Sequence, residues 1–374
     1  MSRERIVVLG ASGETGRLVV AALAERGFAV VAAGRSRTRT EAALGDRAAD
    51  VELAELDLTE PGRVRALLAG ASTVVTAIGP FDALGRVVLE AALDAGADYV
   101  DTTAEQPFVA WARSTQHDRA VATGVTVVPG AGAAGAPGDL LVALAGEHVD
   151  GPCEVHVAYA FPQGLWRTSS AGTRRSLATL LGAPVLASVE GRLVEERLAE
   201  HRRLAWFPRP VGPRHAAAVP GLEPLSVPDH RPDARLVRTY LSLSTPGSES
   251  LQFLGNVARW QPARERLRSL LGPAPGRSRG GSAADREGAR WACVAEVASD
   301  TTVGRAWAYG TGPHTLTAAS VTTVVERLVA GTVPAGVVAP SLVGPPGKLL
   351  DRIGATTDLR WGRAVSERPT GPRR

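Results

Sequence analysis

Three glycines, Gly10, Gly13 and Gly16, stand at intervals of three between the apolar run Ile6-Val7-Val8-Leu9 and the helix-forming stretch Arg17-Leu18-Val19-Val20. A strand that turns sharply into a helix leaves free N–H groups and the positive end of the helix dipole at the turn, which suits a phosphate. Gly10 fits the tight turn, Gly13 lets backbone approach a pyrophosphate, and Gly16 lets the helix pack closely on the strand. Ser12, Glu14 and Thr15 fill the same turn and are expected to line it. The pattern reads as a dinucleotide-binding turn. At the end of the next apolar run, where an NAD site places an acid against the ribose hydroxyls, the sequence has Gly34-Arg35-Ser36-Arg37. Two guanidinium groups and a hydroxyl suit a 2′-phosphate, so the expected cofactor is NADP. Asp57 and Leu58 are expected beside the adenine, and Ala77, Ile78, Gly79 and Pro80 along the path of the ribose and nicotinamide.

Hydride transfer to a double bond also requires a proton, which His, Tyr or a carboxyl can supply. The candidates are Asp101, His156 and Tyr159. His156 and Tyr159 stand three apart in one alternating segment, so they point to opposite faces and at most one meets a cleft. Tyr159 shares its face with Cys153 and Val157 and reads as core. Asp101 and Thr102 close a strand at the edge that faces ligand, where Asp101 contacts substrate or caps the next helix. Ser169-Ser170 precede a helix, where they cap it or leave its first N–H groups free for a substrate carbonyl or carboxylate.

The elements that must position these groups follow one alternation over the first 130 residues. Short β-branched runs at Arg5 to Leu9, Ala29 to Ala33, Val51 to Leu56, Thr73 to Ile78, Asp98 to Thr102 and Val125 to Val128 are separated by helical patterns. Six strands with crossing helices predict a doubly wound parallel sheet, the Rossmann arrangement. After Pro129 comes the glycine-rich connector Gly130 to Gly138, too flexible for a regular element. Then the period changes to two at Cys153 to Phe161 and at Trp291 to Tyr309, which predicts hairpins of antiparallel sheet in an inserted α+β domain. The expected division is a dinucleotide-binding domain over 1–138 and an α+β substrate domain over 139–312. Its stretch 273–288 has the composition of a mobile loop. A C-terminal helical segment over 313–365 is expected to return to the first domain, followed by a frayed tail over 366–374.

Further residues carry a resemblance. Gly79-Pro80-Phe81-Asp82-Ala83-Leu84-Gly85 matches G-P-[FY]-x-x-[YL]-G, and Tyr99-Val100-Asp101-Thr102-Thr103-Ala104-Glu105 matches Y-x-D-x-[TS]-x-E. Pro137-Gly138-Asp139-Leu140 follows, and Ser170-Ala171-Gly172-Thr173-Arg174-Arg175-Ser176 is close to an S-G-G-T-x-x-S helix start. These segments resemble the saccharopine dehydrogenase-like oxidoreductases, including the trans-acting enoyl reductases of polyketide pathways. The resemblance is closest over the first 140 residues and patchy between Gly182 and Gly288. It implies NADPH-dependent hydride transfer to an imine or enoyl thioester in amino-acid-like or polyketide metabolism. It also implies substrate contacts at Ser169, Ser170, Gly172 and Thr173. Ala171 in place of the second glycine and Ala133 to Ala136 before Pro137 depart from the family pattern and bear on the substrate.

Composition narrows the classes. In 374 residues, 44% are hydrophobic and 21% charged, which is ordinary globular usage. The single lysine, Lys348, removes a Schiff-base mechanism built elsewhere in the chain. Positions four after Tyr99, Tyr159, Tyr240 and Tyr309 hold Thr103, Gln163, Ser244 and Pro313, so the Tyr-x-x-x-Lys pair of short-chain dehydrogenases is missing. Cys153 and Cys293 are too far apart for a metal knuckle or redox motif, and no metal is expected. The arginines are dispersed among acids, so no nucleic-acid partner is expected despite a net charge of +4. No apolar run nears membrane-spanning length, and Met1-Ser2-Arg3-Glu4-Arg5 leads straight into a strand, so a cytoplasmic protein without membrane insertion is expected. A homodimer and a small-molecule or carrier-bound substrate are expected partners. Gly276-Arg277-Ser278-Arg279-Gly280 lacks the strand a nucleophile elbow needs. Gly344-Pro345-Pro346-Gly347-Lys348 has Leu349 where a phosphate loop needs Ser or Thr. Two alternatives stand beside the reductase: a non-catalytic NADP-sensing regulator of the same fold, and an epimerase or isomerase that keeps its cofactor bound.

Overall fold

The computed structural model of the chain describes residues 4–164, 184–242 and 282–368. The chain divides into two compact units, one of Met1–Ala136 with His314–Gly344, the other of Pro137–Pro313 with Pro345–Arg374.

In the first unit, the strands are β1 (Arg5–Leu9), β2 (Ala29–Gly34), β3 (Glu52–Glu55), β4 (Thr73–Thr76), β5 (Asp98–Asp101) and β6 (Thr126–Val128). A short β15 (Gly336–Val337), which the periodicity did not reveal, pairs with β6 through Gly336 and Thr126. The order is β15-β6-β5-β4-β1-β2-β3 and every pairing is parallel. Ile6, Val7, Val8 and Leu9 are all at most 1% exposed, as a strand covered on both faces requires. The covering helices are α1 (Glu14–Glu25), α2 (Arg37–Leu44), α3 (Pro61–Leu68), α4 (Phe81–Ala95), α5 (Gln106–Trp111) and α6 (His117–Thr123). Helix α4 buries Phe81, Gly85, Val88, Leu89 and Ala92, one stripe at helical spacing, and stops at the left-handed Gly96. The returning helix Pro313–Val329 runs alongside α1 in the same direction. His314 meets Thr15 at one end (2.9 Å), and Glu326 pairs with Arg26 at the other (2.7 Å).

The second unit is built on a nine-stranded sheet. Its strands are β7 (Cys153–Ala160), β8 (Val185–Val189), β9 (Arg192–Glu196), β10 (Arg202–Trp206), β11 (Pro213–Ala218), β12 (Ala234–Ser242), β13 (Arg290–Ala298), β14 (Thr302–Thr311) and β16 (Arg360–Glu367). The order is β10-β11-β12-β7-β13-β14-β16, with β8 joined to β12 and β9. The hairpin of β13 and β14 falls where the alternation predicts it. The sheet is nevertheless mixed rather than antiparallel, because β7 and β12 are parallel, pairing Tyr159 with Leu241. A period of two reports which faces are buried and not strand direction, and the chain between β7 and β12 is long enough for a crossover.

Two boundaries also differ from expectation. The glycine-rich connector ends early, because α7 (Ala136–Gly146) already contains Pro137 and Gly138. Proline is well placed in a first helical turn, where its missing N–H costs nothing. The segment expected to be helical over 313–365 instead divides. From Pro345 it joins the second unit as the helix Pro346–Gly354 and then β16, which pairs with β14 from Arg360↔Tyr309 to Glu367↔Thr302. An edge strand needs only one row of backbone partners, so a charged sequence expected to be helical up to 365, with Ser366 and Glu367 from the expected tail, can serve as one. Of the loop expected over 273–288, the described part begins at Ser282 and is a short helix, Ala283–Glu287, closed by a capping box between Ser282 and Asp285. Among the described residues no helix is long and apolar enough to cross a membrane.

Candidate functional site

In the first sheet the chain leaves β1 toward β2 on one side and returns through β4 on the other. The carboxyl ends of strands at such a reversal open a crevice for ligand. The glycine turn lies there. Gly10 has φ +88°, and a Cβ on it would stand 2.7 Å from Ile78 Cγ1 and 2.9 Å from the Ala77 oxygen, so only glycine closes this turn against the end of β4. The N–H groups of Gly10 and Ala11 both donate to the Ala33 oxygen (3.0 and 3.1 Å), tying the turn to β2. A Cβ on Gly16 would sit 2.1 Å from the Gly10 oxygen, so α1 packs directly on the turn. Gly13 is exposed and is the N-cap of α1, with no side chain to satisfy the helix's first N–H groups. Ser12, Glu14 and Thr15 flank it, each partly exposed. Thr15 Oγ1 lies 2.9 Å from His314 Nδ1, a partner that sequence reasoning missed because 299 residues separate them.

At the end of β2 the two arginines take different places. Arg37 Nη1 donates to the Leu53 oxygen (2.8 Å) and its backbone N–H to Glu55 Oε2 (3.0 Å), so Arg37 is anchored on β3. Ser36 caps α2, its hydroxyl accepting the Arg39 N–H (3.3 Å). Arg35 is exposed. Hydrogen bonds from the Thr59 backbone and hydroxyl, with the charge of Arg35 behind them, hold the Asp57 carboxyl below its ordinary value. Asp57 is exposed, whereas the Leu58 side chain is 6% exposed and belongs to the core. Ala77, Ile78, Gly79 and Pro80 follow β4, all partly exposed, with the Ala77 N–H donating to the Leu9 oxygen (3.0 Å) beside the turn.

Asp101 ends β5 but does not face outward. It is fully buried, and Oδ1 accepts the N–H groups of Thr103 (2.9 Å) and Gly130 (2.8 Å). Burial pushes its carboxyl up to about 7 against these hydrogen bonds. The side chain thus holds a turn and a loop rather than capping the next helix, whose N-cap is Glu105. Thr102 is partly exposed and its N–H continues the ladder to the Thr76 oxygen (3.3 Å). Glu105, which sequence reasoning quoted without assigning a role, accepts the N–H groups of Phe81 and Asp82, both at 3.0 Å.

In the second unit, His156 and Tyr159 take opposite faces of β7, as their spacing predicts. His156 Nδ1 lies 3.3 Å from the Tyr240 hydroxyl, and burial with the charge of Arg203 lowers its pKa to about 3, so the imidazole is neutral near pH 7. The Tyr159 hydroxyl donates to Glu223 Oε1 (2.6 Å) and accepts the Gly138 N–H (3.2 Å), while Thr239 donates to Glu223 Oε2 (2.5 Å). Burial raises the Tyr159 hydroxyl well above its ordinary value and the Glu223 carboxyl to about 7. A Cβ on Gly138 would stand 2.1 Å from Glu223 Oε1, which explains the glycine inside α7. Asp139 pairs with His230 at 3.0 Å. No local pattern announces Glu223, Thr239 or His230, since a short helix, a strand and a turn distant in sequence bring them to Tyr159 and Asp139. Ser169, Ser170, Gly172 and Thr173 lie outside the described residues.

Comparison with known proteins agrees with this geometry. Residues 6–128 match the family of the saccharopine dehydrogenase NADP binding domain. Proteins named trans-acting enoyl reductase, from Mycobacterium leprae and Mycobacterium tuberculosis, are 34% identical over 142 residues, or 37% of this chain. The aligned segment spans about a third of those relatives, 34% of their length. Saccharopine dehydrogenase (L-Glu forming) from Saccharomyces cerevisiae has a similar fold, with a TM-score of 0.64 at 14% identity over 97% of this chain and 100% of that one. The parallel sheet with its glycine turn is therefore similar to the NADP binding domain of saccharopine dehydrogenase over residues 6–128.

Proposed function

We propose that the protein is an NADPH-dependent reductase that delivers hydride to an activated C=C or C=N acceptor. The observation that carries this is the phosphate turn: Gly10 packed against the end of β4, Gly16 packed on Gly10, and an exposed Gly13 as the N-cap of α1, in a domain of NADP-binding type. In this reading the first N–H groups of α1, with Ser12, Gly13, Glu14 and Thr15 around them, hold the pyrophosphate. Arg35 takes the 2′-phosphate, Ser36 and Arg37 build the loop that presents it, and the Asp57-Leu58 backbone runs beside the adenine. Ala77, Ile78, Gly79 and Pro80 border the ribose and nicotinamide. The bound nucleotide supplies the hydride. The chain's own work is to bind, to orient and to keep water from the reacting atoms.

The trans-acting enoyl reductase names of the relatives support an enoyl thioester over an imine, and a carrier-bound acceptor accords with them. Free, buried Cys153 and Cys293 accord with a reducing, cytoplasmic setting. The test is anaerobic NADPH oxidation with enoyl thioesters and cyclic imines in parallel. Turnover with an enoyl thioester is the expected result, turnover with imines alone moves the acceptor class, and tight NADPH binding without turnover on either overturns the reductase in favour of a sensor.

A further inference from the structure

We propose that Glu105 is a positioning residue for the nicotinamide end of the nucleotide site, acting through the first turn of α4 on the Gly79-Pro80 loop. The inference rests on the nucleotide-binding reading above. Two helix starts at the same sheet edge differ. The N-cap of α1 is Gly13, without a side-chain cap, and is exposed. Helix α4 has Pro80 as its N-cap, which also offers no capping side chain, yet its first two N–H groups are both taken by Glu105. Oε1 accepts from Phe81 and Oε2 from Asp82, each at 3.0 Å, across a separation of 24 and 23 residues. The carboxylate is held where a helix dipole favours negative charge, which offsets the cost of burying it at 4% exposure.

Glu105 is itself held from β5. Asp101 Oδ1 accepts the Thr103 N–H (2.9 Å), and the Thr103 hydroxyl accepts the Glu105 N–H (3.0 Å). Acceptors at intervals of two build a stepped turn, and all three side chains are at most 4% exposed. The same Asp101 holds Gly130 through Oδ1 and Ala131 through its backbone oxygen, both at 2.8 Å. The chain segments leaving β4, β5 and β6 are therefore one hydrogen-bonded piece. Gly79-Pro80 is fixed at both ends: Ala77 bonds Leu9 beside the phosphate turn, and Phe81 bonds Glu105. Phe81 is braced further by Phe108, ring centroids 6.0 Å apart, on the helix that Glu105 begins. The hydrogen bonds named in this relay run among the segments after β4, β5 and β6, and Arg35 and Ser36 are in none of them. Its effect is confined to the nicotinamide side.

That confinement gives a test with a binding readout. The full-length protein and its Glu105→Gln variant are titrated with NADPH and with adenosine 2′,5′-bisphosphate, which carries the adenine and 2′-phosphate but no nicotinamide. Gln keeps the size but turns an amide donor toward one of the two N–H groups. NADPH should bind about tenfold more weakly, the loss expected when a charge-assisted hydrogen bond is removed, while the bisphosphate binds within twofold of wild type. Emission of bound NADPH should move toward that of the free nucleotide. Thr103→Val, which removes only the acceptor for the Glu105 N–H, should move the same ratio in the same direction by less, and decides the matter if Glu105→Gln does not fold. Equal weakening of both ligands, or a lower melting temperature with an unchanged ligand ratio, overturns the proposal. Wild type that binds neither ligand overturns the nucleotide-site reading beneath it, a distinct outcome.

Discussion

Replacing Asp101 by Asn should stabilise the protein at neutral and alkaline pH and leave it unchanged in acid. Burial raises the Asp101 carboxyl from 3.8 to about 7, more than the hydrogen bonds from Gly130 and Thr103 lower it. A raised acid favours the neutral form in the folded state. The stability tied to this group is fully present below pH 3.8 and is lost as pH rises toward 7. A shift of about three pH units, at about 1.4 kcal/mol each, sets an upper size of about 4 kcal/mol. Asn keeps Oδ1 for the Thr103 and Gly130 N–H groups and presents an amide toward the Tyr99 side, where a neutral group costs less. The assay is urea unfolding of wild type and Asp101→Asn between pH 4 and 9, followed by far-UV circular dichroism. The difference should open at about 1.4 kcal/mol per pH unit across the interval and level off above pH 7. Asp101→Ala, which leaves both N–H groups without their acceptor, should be less stable throughout by about 1 to 3 kcal/mol. A difference between wild type and Asp101→Asn that does not change with pH would refute the reasoning.

The separation of the two arginines predicts that Arg35→Ala lowers affinity for NADPH relative to NADH by about 1 to 3 kcal/mol, whereas Arg37→Ala chiefly loosens β3. Titration of both nucleotides with both variants checks it, and equal losses of selectivity would count against the division. In the second unit, Tyr159→Phe strands the Gly138 N–H and one oxygen of buried Glu223, so stability should fall by about 1 to 3 kcal/mol. An unchanged melting temperature would show that these bonds carry no net weight.

Much of the first unit is legible along the chain because its signals are short-range. Strand, turn and helix succeed one another within Arg5–Glu25, so the glycine spacing, the positive φ at Gly10 and the close packing at Gly16 follow from neighbours in sequence. Periodicity likewise separates the faces of His156 and Tyr159. It does not separate parallel from antiparallel pairing, which is why the β7–β12 pair contradicted the expectation. It also misses strands as short as Gly336–Val337 or as polar as Arg360–Glu367, because their stability comes from a partner's backbone and not from their own side chains.

The division in the candidate site has the same origin. The sequence by itself determined that a glycine turn with dinucleotide-site spacing opens the first unit and that no acid stands at the end of β2. Only the tertiary structure decided that Arg37, exposed like Arg35, is anchored on β3, that Asp101 is buried, and that Glu105 caps α4. Thr15 with His314 and Tyr159 with Glu223 belong to the same class, 299 and 64 residues apart. A turn's chemistry is written in adjacent residues because backbone geometry is local. The partner of a buried polar group depends on which strands and helices become neighbours, and that is settled by burial of the whole unit.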